Sequence, residues 1–135
     1  MTRFLLDTNA IADLIRHPQG RVAERIASVG QASVCTSIIV ASEVLFGAAK
    51  RGSAELAARC DAALRVLEVV PFASPADEVY ARVRAHLQAR GRLIGGNDML
   101  IAAHALALGC TVVTDNEREF ARVEDLPRVN WLRDQ

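Results

Sequence analysis

Four acidic residues, Asp7, Glu43, Asp98 and Asp115, fall at or near the ends of predicted strands and helices. Three of them sit in short polar signatures inside apolar runs: FLLDTN at 4–9, IGGND at 94–98 and VVTDN at 112–116. A carboxylate flanked this closely by apolar sequence is costly to bury alone. Several of them, arriving from distant parts of one chain, would also repel one another. A hard divalent cation held by oxygen ligands relieves both costs. The chemistry these residues could do is that of a cation-centred acidic site, if the fold brings them together.

The elements that must position them alternate along the chain. Residues 3–6 read as a short apolar strand, and Ile11, Leu14 and Ile15 recur at helical spacing through 9–16, closed by Pro18 and Gly20. A second helix is expected over 22–29, ended by Gly30, and a second strand over 32–36. Ser37 can cap a helix running to about residue 50, with Gly52 after it. A helix over 54–67 and a strand over 68–72 follow, and Ser74, Pro75 and Asp77 mark the start of the next helix. That helix carries Val79, Val83 and Leu87 on one face and stops at Gly91. The remaining elements are a helix over 97–109, a strand over 110–114, a brief helix over 117–121 and an edge strand over 129–132.

Such alternation predicts an α/β fold with a mostly parallel sheet, in which ligands bind beyond the carboxyl ends of the strands. Asp7 and Asp115 each follow a predicted strand, so a parallel sheet puts both on one edge. Asp98 lies in the first turn of its helix and Glu43 about two turns into the helix after the second strand; both helices start at that same edge.

Composition narrows the field. The 135 residues suit one domain spanning 1–135, and 51% hydrophobic with 24% charged residues is the balance of a soluble globular protein. With zero formal net charge and a pI near 6.8, the chain lacks the basic field of a simple electrostatic nucleic-acid binder. Lys50 is the sole lysine, the other basic residues being arginines, a skew that biased coding composition also produces. Cys35, Cys60 and Cys110 are odd in number and form no CxxC pair, which points away from a disulfide framework or a zinc site and toward a reducing cytoplasm. No secretory leader is expected, since an acid interrupts MTRFLLDTN early, and no apolar run approaches the roughly 18 residues of a membrane span.

The chain resembles a PIN-domain ribonuclease, in particular the VapC toxins of bacterial type II toxin–antitoxin pairs. The residues that carry the resemblance are LLDTNAIADLI at 5–15, TSIIVASEVLFGA at 36–48, IGGNDMLIAAHALALG at 94–109 and VVTDNEREFARVEDL at 112–126, closing with VNW at 129–131. Each motif is weak alone; in this order, each of the four with its acid, they cover almost the whole chain. The resemblance implies a three-layer sandwich with a twisted, mostly parallel sheet flanked by helices. It implies a hydrolase that cleaves RNA phosphodiester bonds endonucleolytically through Mg2+, with Mn2+ as a substitute. Asp7, Asp98 and Asp115 would make the principal metal contacts and Glu43 would complete the catalytic cluster. Partners implied are a VapB-like antitoxin, RNA and a second copy of the chain, in a homodimer and a toxin–antitoxin hetero-oligomer, with no membrane.

Plainer readings stand beside these. Thr8, Asn9, Thr114 and Asn116 would orient the carboxylates, or simply cap helices and form turns. Glu117 would add a ligand, or be an acid in the first turn of a short helix. His104 reads as a packed histidine, Leu45, Phe46 and Leu56 as interface or core, and Arg16, Arg21, Arg51 and Arg92 as phosphate contacts near loops. A response-regulator receiver would need adjacent acids after the first strand and a late lysine; the chain has DTN, and its lysine ends a helix. An aspartyl phosphatase would want an acid at residue 9, which is Asn. A PIN fold that had lost its activity would not be expected to keep all four acids.

Overall fold

The structure, a computed structural model, describes residues 2–133. Five strands form one sheet in which every neighbouring pair is parallel, in the order β3-β2-β1-β4-β5. The central strand, β1 (Phe4–Leu6), is flanked by β2 (Val34–Ser37) and β4 (Thr111–Val113). Leu5, Leu6, Val112 and Val113 are fully buried, as expected where helices cover both faces of a parallel sheet and the strands read as apolar runs. β3 (Glu68–Val70) and β5 (Arg128–Val129) close the two edges.

The connections from β1 to β2 to β3 carry α1 (Thr8–Arg16), α2 (Arg21–Val29), α3 (Ile38–Arg51) and α4 (Ala54–Arg65). The connection from β3 back to β4 carries α5 (Ala76–Ala89) and α6 (Gly96–Leu108). Crossovers between parallel strands are right-handed, so these two runs, travelling in opposite directions from the centre, cover opposite faces. Accordingly α1 packs on α2, α3 and α4, while α5 lies along α6. The outcome is the expected α/β three-layer sandwich, with all five strands parallel. A single turn, α7 (Glu117–Phe120), joins β4 to β5 and plugs Phe120 into the core.

Strand order reverses between β1 and β4, and at this switch point the carboxyl ends of a parallel sheet open a crevice. The elements end there for local reasons. Asp7 leaves β1 with its amide bonded to the Val113 carbonyl (3.0 Å), and its carboxylate caps α1 by accepting from the Ala10 amide (2.9 Å). Ser37 closes β2 and caps α3 through the Ile39 amide (3.0 Å). Gly52 and Gly109 end α3 and α6 with φ of 65° and 71°, where a side chain would be strained.

Boundaries differ from expectation where side chains or prolines compete with the ladder. The second strand starts at Val34 rather than 32, because a 3-10 turn (Gln31–Ser33) precedes it and the Ser33 hydroxyl donates to the Val29 and Gly30 carbonyls. The third strand stops at Val70 rather than 72, since Pro71 has no amide to offer. Helix α5 begins at Ala76, where the sequence signals put its start, with Pro75 in the cap position and no side-chain cap bond. The last strand is Arg128–Val129 rather than 129–132, because Asn130 folds its side chain back to accept from the Leu132 amide (2.9 Å). Among the described residues no helix is long and apolar enough to cross a membrane.

Candidate active site at the carboxyl edge of the sheet

Each predicted acid reaches the crevice on a different element. Asp7 follows β1 and is 2% exposed. Asp115 follows β4, Asp98 lies in the first turn of α6, and Glu43 projects from α3 after β2. Two fixed contacts set the relation between the helices that carry Glu43 and Asp98. His104 on α6 is buried and bonds through Nδ1 to the Ser37 hydroxyl (2.8 Å), while the same hydroxyl oxygen caps α3. His104 also bonds to the Pro71 carbonyl, so the neutral ring donates there and accepts from Ser37; burial lowers its pKa. His104 is thus the packed histidine expected from its helical neighbours.

The carboxylates feel one another. Asp7 is pushed up to about 6, chiefly by burial; bonds from Thr114 and the Ala10 amide oppose this, while the charges of Asp98 and Asp115 add to it. Asp98 is likewise pushed up to about 6 by burial, opposed by a bond from Asn116 and reinforced by the bond and charge of Glu119 and the charge of Glu43. Asp115 moves the other way: Arg133, first, and Asn130 hold its carboxyl below the usual range. These four acids, unrelated in sequence, therefore share one electrostatic neighbourhood.

Short polar side chains hold each acid in place. Thr8 donates to Glu43 Oε1 (2.5 Å). Thr114 donates to Asp7 and accepts from the Asn116 amide (2.8 Å). Asn116 Nδ2 donates to Asp98 Oδ2 (2.9 Å) and also to Glu119 Oε2. Thr8, Thr114 and Asn116 thus touch the acids, whereas Asn9 is exposed in the first turn of α1. Glu117 is exposed at the start of α7 and accepts from Asn130 Nδ2 (3.1 Å).

Three residues of this site do not stand out in the sequence. Asn130 Nδ2 donates to Asp115 Oδ1 (2.9 Å), Arg133 Nε donates to the same oxygen (2.6 Å), and Glu119 shares Asn116 with Asp98. Asn130 had a signal: it ends a strand parallel to the one before Asp115, and in such a sheet that is the same edge. Glu119, one turn beyond Asp115, had only helical spacing, and Arg133 had none.

The candidate ligands are carboxylate oxygens, the chemistry of a hard cation such as Mg2+. Burial and neighbouring acids oppose the ionisation of Asp7 and Asp98, a cost that a bound cation would relieve. The acids are not already closed into a cage: among the described residues no three His, Cys, Asp or Glu side chains stand together closely enough to hold a metal ion as arranged.

Comparison with known proteins agrees with this fold. The PIN-domain family profile matches residues 4–126. Ribonuclease VapC2 of Rickettsia felis is 33% identical over 130 residues, covering 95% of this chain and 97% of that protein. The tRNA(fMet)-specific endonuclease VapC of Shigella flexneri is 33% identical over 132 residues, covering 97% and 99%. Among solved structures, VapBC2 from Rickettsia felis bound to a DNA fragment from their promoter superposes with a TM-score of 0.89 at 28% identity, covering 96% of this chain and 99% of that one.

Proposed function

The chain belongs to the PIN-domain family, among VapC-type proteins, and from that premise we propose that it is a metal-dependent endoribonuclease acting as the toxin of a toxin–antitoxin pair. The observation that carries the proposal is that Asp7 and Asp115 leave adjacent parallel strands at the switch point between β1 and β4, with Asp98 and Asp115 within electrostatic reach of Asp7 and Glu43 within reach of Asp98. Asp7, Asp98 and Asp115 would hold Mg2+ or Mn2+, and Glu43 would complete the set. The chemistry such an ion supplies when bound is Lewis acidity toward water and phosphate. The chain's own part is positional. Thr8 and Asn116 keep Glu43 and Asp98 turned to the crevice, and Thr114 keeps Asp7 ionisable against the pull of burial. Glu43, half-buried on α3, would orient a water or hold a second ion.

The named relatives are ribonucleases, one of them specific for tRNA(fMet), and the Rickettsia felis neighbour is a complex with its antitoxin on DNA. RNA as substrate, a VapB-like antitoxin as partner and a toxin–antitoxin hetero-oligomer are proposed for this chain by that likeness. A homodimer is proposed as well, supported by the apolar stripe that α3 leaves exposed at Ile38, Leu45 and Phe46. Free, buried Cys35, Cys60 and Cys110 suit a reducing cytoplasm.

The test is cleavage of RNA by the purified chain with Mg2+, with Mn2+ and with EDTA, beside Asp7→Asn. We expect cation-dependent cleavage that falls on the order of 100-fold or more in the variant. Mn2+ should also raise the unfolding temperature of wild type more than that of Asp7→Asn. Equal cleavage by both proteins would sink the catalytic assignment.

A further inference from the structure

The acidic edge poses a problem for any nucleic-acid substrate. Asp7, Glu43, Asp98, Asp115, Glu117 and Glu119 line or border it, and a phosphate backbone approaching them is repelled unless the chain supplies positive charge. One arginine is already in contact with the cluster. Arg133 donates from Nε to Asp115 Oδ1 (2.6 Å) and from Nη2 to Oδ2 (3.5 Å), a forked arrangement on a carboxylate.

The backbone that delivers this arginine is pinned. Trp131 is buried, with its ring 4.9 Å from that of Phe4 on β1. The Leu132 amide is held by Asn130 Oδ1 (2.9 Å) and the Leu132 carbonyl by Arg21 Nη1 (3.3 Å). Asn130 commits its own amide nitrogen to Asp115, so the clamp and the acid are parts of one network. Arg133 is thereby kept at the crevice, while its side chain is 69% exposed and two of the guanidinium's five donors are engaged on Asp115. An exposed ion pair of this kind is weak and exchangeable. A phosphate offers the same two-oxygen face as the carboxylate, and an arginine fork suits either.

We propose that Arg133 is a substrate-binding residue of this site, which grips a phosphate of the RNA and rests on Asp115 when RNA is absent. The inference rests on the ribonuclease reading and adds to it the residue that offsets the repulsion of a polyanion. The segment after β5 then has a role in binding, because Trp131 and Asn130 fix the point from which the guanidinium exchanges one oxyanion for another.

The test uses the full chain, Arg133→Ala and Arg133→Lys, the last retaining the charge without the fork. Binding of a fluorescein-labelled single-stranded RNA is followed by anisotropy in EDTA, each substitution being placed on Asp7→Asn. Steady-state cleavage and Mn2+ titration calorimetry are then measured with Asp7 intact. We expect Arg133→Ala to weaken RNA binding roughly tenfold. KM should rise by a similar factor with kcat within about twofold, Arg133→Lys should fall between, and Mn2+ affinity should hold. Unchanged RNA binding with tighter Mn2+ binding and faster cleavage would overturn the proposal, making Arg133 a brake on the cation site. No change in any readout would overturn it too, leaving a surface ion pair. Wild type that neither binds nor cleaves RNA would overturn the ribonuclease reading and this inference together. A wild type active on RNA, matched by Arg133→Ala, overturns this inference alone.

Discussion

Asp7 shows how a single residue can be tuned for its site against the interest of the fold. Its carboxylate caps α1, yet burial beside two other acids raises its pKa to about 6. A group whose folded pKa lies above its unfolded value of 3.8 contributes stability that is fully present below 3.8 and lost as pH rises through 6. At neutral pH in the absence of cations the ionised Asp7 therefore works against folding. Asp7→Asn keeps a cap and removes the charge, so the variant should be more stable than wild type at pH 8 in EDTA by about 1–3 kcal/mol, even as cleavage is lost. Lowering the pH from 8 to 5 should narrow that gap by roughly half, because Asp7 is then protonated in the folded wild type but still ionised in the unfolded chain; the gap closes only below 3.8. Urea unfolding of both proteins across this range checks the claim, and a gap independent of pH would refute it. Asp115, whose pKa is lowered, acts in the opposite sense, losing its contribution only below the ordinary carboxylate range.

At the scale of elements, the site depends on how α3 and α6 begin. Ser37 has two duties: its oxygen caps α3, and its hydroxyl bonds to buried His104 on α6. Removing it deletes the cap and strands a buried ring nitrogen, and each loss is costly. Ser53 offers a comparison at a part-buried helix start, where its oxygen caps α4 through the Leu56 amide (3.1 Å) and makes no bond to α6 among the described residues. Ser37→Ala should thus cost about 2–4 kcal/mol against about 1 kcal/mol for Ser53→Ala. Equal losses on chemical denaturation would show that the His104 bond contributes nothing. Most of these elements were legible as existing, because apolar periodicity and caps are local signals. Their ends were less so: Ser33 bonding to its own turn and Pro71 lacking an amide are competitions that periodicity does not register.

For the whole molecule, α3 leaves Ile38, Leu45 and Phe46 outward, Phe46 at 67% exposure. The sequence left Leu45 and Phe46 open between core and surface, and the structure puts both on the surface. An apolar stripe of this kind is a natural seat for a second copy of the chain. Sedimentation of the free protein should show a dimer at micromolar concentration that Phe46→Glu shifts to monomer without lowering the unfolding temperature of the isolated subunit. A wild-type monomer under those conditions would remove the dimer from the proposal.

By itself the sequence determined the alternation of strands and helices, hence a parallel sheet, and with it the one edge to which Asp7 and Asp115 must come. It also carried the ordered motifs that identify the family. Those signals are local or additive, each written in a handful of adjacent residues. Tertiary structure alone decided which polar groups meet the acids. Asn116 joins Asp98 to Glu119 across 18 residues, Thr8 reaches Glu43 across 35, and the chain's last described residue, Arg133, returns to Asp115. Such pairings depend on the order of strands and on the angle at which each helix leaves the sheet. Both follow from packing the two faces of the sheet at once, which no short stretch of sequence encodes.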